Sequence, residues 1–313
     1  MTATTTAPVA APSVRTEKKP PSGRLRAWAT RAPLLPALIF MIAVTQLPFV
    51  ATLVISFFDW NSLYPDARSF TGFGNYLEVL GDAALRRSVW TTILLTATVV
   101  LVSLVLGLGL ALLLDRRFRG RGLVRTLLIA PFLVVPVAAA LLWKHVLYNP
   151  EYGLLNGLLH YVGGPQPDWI SNTPLLAVEM SLVWQWTPFM MLILLAGLQS
   201  RDHQQIEAAK VDGASDWQVF RYLTLPHLRR YLELGALLGS IYIVQNFDAV
   251  FTITSGGLGT ANLPYTVYQS FYQAHENGLA SAAGVLVVIG SIIIATFALR
   301  VVSSLFREEV GRA

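Results

Sequence analysis

The chain has 313 residues, of which 54% are hydrophobic and only 13% charged, and its net charge is +5. That charged fraction is about half of what a soluble globular domain carries, so the composition points to an integral membrane protein. Cysteine is absent, which excludes a disulfide framework, thiolate metal ligation and a cysteine nucleophile.

Residues 1–31 are rich in Ala, Thr and Pro and turn basic at Arg15, Lys18, Lys19, Arg24, Arg26 and Arg31. Too apolar-poor to build a core, they are expected to form a disordered cytoplasmic tail ahead of a membrane domain over 32–313. From Ala32 to Phe58 the chain runs uncharged for 27 residues, long enough to span and to stay as an anchor rather than be removed as a signal peptide. A hydrocarbon core about 30 Å thick needs roughly 20 apolar residues. On that measure six spans are expected near 34–58, 88–114, 124–146, 174–198, 232–254 and 279–303. Pro131 and Pro136 interrupt the third and Pro188 the fourth, which membrane helices tolerate when neighbours satisfy the freed carbonyls. The expected fold class is therefore an all-α integral membrane protein with both termini on one side.

Counting Lys and Arg gives the side. The tail holds six, DRRFRGRGLVR at 115–125 five, the 199–231 loop five, and the end from Arg300 onward three. The other face holds Arg68, Arg86 and Arg87, with Lys144 near the end of the third span. The positive-inside rule then puts both termini and the 199–231 loop in the cytoplasm. The basic balance reads as membrane anchoring and lipid contact, not as a nucleic-acid surface.

The polar stretch QIEAAKVDGASDWQVFRYLTLPHLRR lies inside that loop at 205–230. Asp202 with Gln205 resembles a capping box, Gly213 suits a left-handed helix end, and Ser215 with Gln218 forms a second box. The second helix is expected to stop near Leu225, ahead of Pro226, and its Trp217, Phe220 and Thr224 to pack under the membrane domain. The small side chains Ala208 and Ala209 beside Glu207 leave room for another protein to approach the backbone. An amphipathic linker lying on lipid headgroups is the bland alternative.

Spacing separates the two. Glu207-Ala208-Ala209, Asp212-Gly213 and Leu225-Pro226 stand as E-A-A-x-x-D-G-x(11)-L-P, which resembles the coupling motif of permease subunits in bacterial ATP-binding cassette (ABC) importers. From about residue 34 onward the chain is similar to the carbohydrate branch of that family, and especially to maltose-type sugar permeases. FTGFGNY at 70–76, PFLVVPVAAALLWKHVLYNPEYGLLN at 131–156, WQWTPFMMLILLAGL at 184–198 and QNFDAVFTITSGGLGT at 245–260 carry the likeness. Leu258 departs from the usual G-G-P, which puts the conformation of that outer loop in question, and the length leaves no room for a long extra periplasmic domain.

The resemblance implies the type I importer permease fold (MetI-like), with a coupling helix that docks on an ATPase subunit in the bacterial inner membrane. It further implies a second homologous permease, two cassette ATPases and an extracytoplasmic, often lipidated, solute-binding protein. No G-x-x-x-x-G-K-[ST] occurs, so no cofactor is expected in this chain, and ATP with Mg belongs to the partner ATPases. No H-E-x-x-H or G-x-S-x-G occurs, and His145, His160, His203, His227 and His275 are scattered, so neither catalytic nor metal-ligating residues are expected.

A neutral carbohydrate needs amides for its hydroxyls and aromatic rings for its C–H faces. Tyr242, Gln245 and Asn246 at i, i+3 and i+4 are expected on one helix face, as are Gln185, Trp186 and Phe189. At about 1.5 Å per residue, Gln185 falls on the order of 16 Å from the outer end of its helix and Gln245 roughly 20 Å from the inner end of its own. These positions match solute-contacting ones in the family, with Trp186 replacing a Gly and Ala138-Ala139-Ala140 replacing a polar contact. In the same bundle, Gln and Asn also serve as helix-to-helix glue. Asp248, about 24 Å along its helix, has three readings: sugar ligand, partner of Lys144, or vestibule residue. Glu179 is expected at the interface. Competing readings are an ion-gradient-driven secondary transporter using Asp248 or Glu179, a cargo-free membrane scaffold, and an importer permease for an amino acid, peptide or ion.

Overall fold

The computed structural model describes residues 32–116 and 118–305. The expected tail, 1–31, lies outside them. Among the described residues, four helices are long and apolar enough to cross a membrane, and two bent pairs bring the number to as many as six. The chain divides into two units, residues 1–51 and 52–313. The helix Leu35–Ile55 is the first span and carries no buried residue.

The core of the larger unit is built on the second span, Ala83–Asp115, and the fourth, Pro174–Gln199. Leu95, Val99, Leu182, Met190, Met191, Leu194 and Leu198 are sealed between them and the fifth span. The two backbones come very close at Gly107, where a Cβ would sit 2.8 Å from Met190 Cβ and 2.9 Å from the Met191 nitrogen. Only a residue without a side chain fits there. The sixth span, Asn277–Leu305, packs on the fifth and buries Ala282 and Ala283 against Val79, Leu85 and Leu263.

The third span departs from the continuous crossing expected at 124–146. Its halves, Arg121–Leu133 and Pro136–Leu147, meet at 96°. The proline ring disfavours helical geometry at the preceding residue, and Val135 is extended at φ −57°, ψ 134°. The fifth span also breaks: Leu225–Val244 is followed by Asp248–Thr254 after a 51° turn. Beyond it, Leu258 adopts φ +54°, a left-handed conformation that proline, locked near −65°, cannot take. The turn that replaces G-G-P is thus of a different kind.

Polar side chains fix the connections. In the 70–76 motif Asn75 donates to the carbonyls of Ser56 (2.9 Å) and Phe58 (2.8 Å), beside the short antiparallel pair Phe58–Asp59 and Ser69–Phe70. In the 149–173 loop Asn156 accepts from the Trp169 indole at 2.8 Å and donates to the Pro150 and Pro167 carbonyls. Asp168 caps Trp169–Asn172, and the Ser171 hydroxyl and N–H beside it hold its carboxyl below the usual carboxylate range.

Candidate functional site

Two regions hold the residues that the sequence singles out. On the side where the second span ends and the third begins, the loop face, the helix His203–Val211 has no buried residue, and Glu207 and Ala208 are exposed. The Asp202 side chain accepts from the Gln204 N–H at 2.9 Å, a simple cap in place of the expected box with Gln205. The helix ends at Asp212, and Gly213 turns left-handed at φ +87°. The N–H groups of Gly213 and Ala214 close onto the carbonyls of Lys210 and Ala209, a Schellman turn. Lys210 then reaches Asp216 at 2.8 Å and bridges the turn. Ser215 and Gln218 form the full reciprocal box.

The second short helix does not stop at Leu225 as expected. Asp216–Val219 passes through a π-helical turn, Phe220–Thr224, straight into Leu225–Val244. The Leu225 N–H bonds five residues back to Phe220, and this wider turn accommodates the ring of Pro226, which has no N–H to give. The extra residue also rotates the face. Trp217 is 68% exposed, contrary to the expected packing, whereas Val219 and Thr224 are buried.

Sequence spacing gave no sign of the residue at the centre of this face. Arg201 directs each guanidinium nitrogen to a different element. Nε donates to the Leu198 carbonyl at 2.9 Å, Nη1 to the Thr224 hydroxyl at 2.9 Å, and Nη2 to the carboxylate of Asp115. Next to it, the Ser200 hydroxyl lies within hydrogen-bond distance of the Tyr231 hydroxyl (2.9 Å) and of His227 Nε2 (3.1 Å).

The second region lies at the break in the fifth span. The helix ends at Val244, so Gln245 and Asn246 do not share a helical face with Tyr242 as expected; they form the turn itself. Gln245 is exposed. The Asn246 side chain accepts from the Ala249 N–H, while its carbonyl accepts from Asn262 Nδ2 at 2.5 Å. Trp186 does lie beside Phe189, and it stacks on Tyr242 at 5.4 Å between ring centroids, with Phe132 completing the group. All three expected aromatic residues are partly or largely exposed. Gln185 instead is buried, and its amide donates to the Val134 carbonyl at 3.1 Å, the group freed by the bend in the third span.

Two acidic residues belong to the same spans. Asp248 opens the second half of the fifth span, half-buried, and Lys144 does not pair with it: the ammonium donates to the Thr252 carbonyl at 2.7 Å. Glu179, the sixth residue of the fourth span, is 8% exposed and lines a cavity of about 570 Å³ between the second, third and fourth spans. The right-angle turn of the third span leaves that space.

Residues 103–308 match the family described as binding-protein-dependent transport system inner membrane component. The chain is 33% identical over 260 residues to the trehalose/maltose transport system permease protein MalF of Thermococcus litoralis, covering 82% of this chain and 87% of that one. It is likewise 33% identical over 262 residues to the trehalose transport system permease protein SugA of Mycobacterium tuberculosis, covering 84% of each. Among solved structures, a chain of a bacterial alginate ABC transporter, in complex with alginate pentasaccharide-bound periplasmic protein, superposes with a TM-score of 0.76. That match has 20% identity and covers 90% of this chain and 96% of the other. An exposed E-A-A helix on one face, a broken fifth span among aromatic side chains and these matches lead to one statement: the chain belongs to the inner-membrane permease subunits of binding-protein-dependent ABC importers.

Proposed function

We propose that the chain forms the translocation path for a neutral carbohydrate, a sugar, disaccharide or polyol, and is driven by ATP hydrolysed on partner subunits. The observation that carries this reading is the break at Gln245-Asn246. A discontinuous membrane helix presents polar groups within the bilayer, where helix halves in transporters bind their cargo. Here the amides of the turn follow directly on the helix that carries Tyr242, whose exposed ring stacks on Trp186 beside Phe189, so the chain brings amides and aromatic rings, the two kinds of group that a carbohydrate needs. None of these residues is cationic, which fits an uncharged cargo. Gln185 shapes the wall through its tie to Val134, and Asp248 stands ready to accept hydroxyl donors. The relatives named for trehalose and maltose support the same class.

In this reading the loop face is cytoplasmic, as the Lys and Arg distribution indicates. Glu207, Ala208 and Ala209 on the exposed helix meet a cassette ATPase, while Asp212, Gly213, Leu225 and Pro226 set the angle between that helix and the fifth span. A second permease, a second ATPase and an extracytoplasmic binding protein complete the assembly, with ATP and Mg held by the ATPases. Closure of the ATPases displaces the loop, and the two permeases rock between openings. The test is uptake of labelled trehalose and maltose into proteoliposomes holding the whole complex. ATP-dependent uptake is expected, lowered about tenfold or more by Gln245→Leu with Asn246→Leu, the loss of roughly one good hydrogen bond. Uptake by this chain alone, indifferent to ATP and abolished by an ionophore, would refute the reading.

A further inference from the structure

Any force applied to the exposed helix His203–Val211 must reach the second and fourth spans, yet that helix buries nothing against them. The π-turn Phe220–Thr224 leads only into the fifth span. The second and fourth spans end on the loop face at Asp115 and Gln199, and both present helix C-termini with their partial negative charge. Arg201 lies where they meet. Its side chain is 13% exposed and its three nitrogens reach Leu198 of the fourth span, Asp115 of the second and Thr224 of the loop.

We infer that Arg201 is a positioning residue that makes the second and fourth spans follow the 203–224 segment when a partner displaces it. The inference rests on the importer reading above. The planar guanidinium suits the role for a chemical reason: it offers a fork of donors at fixed angles, so that the three acceptors are held relative to one another. An ammonium can replace the charge but not the fork. Asp115 supplies the counter-charge, and Thr224 sits in the wide turn that already absorbs Pro226. Rotation of that turn therefore pulls directly on the guanidinium.

Hydrogen–deuterium exchange of the whole complex, with and without ATP and vanadate, tests this without needing the cargo. In the wild type, nucleotide trapping is expected to change exchange both in residues 203–224 and at the span ends, 108–116 and 192–200. In Arg201→Lys the change in 203–224 is retained and the change at both span ends is lost. Asp115→Asn is expected to lose the second-span response first, and Thr224→Val to weaken both; these two variants give the same readout should Arg201→Lys fail to assemble. Span-end responses equal to wild type in all assembled variants would overturn the inference. A wild-type complex with no response in 203–224 would instead overturn the importer reading, and this inference with it.

Discussion

The third and fifth spans are both broken, and for unlike reasons. The 96° bend in the third falls where the local chain favours it: Pro136 disfavours helical geometry at Val135, which is extended, and opens the second half as its first helical residue. The 51° bend in the fifth has neither Pro nor Gly between Val244 and Asp248. It is held from a distance by Asn262, which donates to the Asn246 carbonyl and accepts from the Tyr265 N–H at 3.1 Å. A break beside proline carries a local backbone bias, whereas the break in the fifth span has no such bias and depends on tertiary hydrogen bonds. The second kind sits where the amides of the proposed cargo site are.

Disturbing the contextual break should therefore cost most. Asn262 is fully buried, and Asn262→Ala removes both of its bonds and strands a carbonyl and an N–H. A loss of about 3 kcal/mol is expected, read as a lowered unfolding midpoint in detergent or mixed micelles. A change under about 0.5 kcal/mol would mean that Asn262 does not hold the break. Gln185→Leu is next: it leaves the Val134 carbonyl without its donor, at about 2 kcal/mol in the same assay. Pro136→Ala should be the mildest, under about 1 kcal/mol, because a proline in the first helical turn withholds an N–H that has no helical partner there anyway. Were Pro136→Ala to destabilise more than Asn262→Ala, the distinction between the two breaks would be wrong.

The sequence was readable where local chemistry decides. Uncharged runs located the spans, although the second starts five residues and the fifth seven residues before the expected 88 and 232, and Ser215 with Gln218 and the glycine at 213 marked helix ends that the structure contains. The E-A-A stretch was readable for the same reason, since an exposed helix depends on nothing remote. What escaped was set by packing. The π-turn ahead of Pro226 inserts one residue into the helical register and so turns Trp217 outward, which helical spacing cannot foresee. The tie from Asn262 to Asn246 and the triple contact of Arg201 join residues that no short-range pattern relates. Helical spacing and position brought Trp186, Phe189 and Tyr242 into one aromatic group, whereas the Val134 and Thr252 carbonyls that Gln185 and Lys144 reach lie at or beyond the bends and have no short-range signature.

The account depends above all on the exposed helix being the grip of an ATPase. The chain contains no cysteine, so Ala208→Cys introduces a single thiol. With a short thiol-reactive cross-linker in the intact complex, the account predicts an adduct between this chain and the ATPase subunit, in a yield that changes on adding ATP. A thiol at position 208 that yields no such adduct and is instead quenched by lipid-borne nitroxide would contradict it.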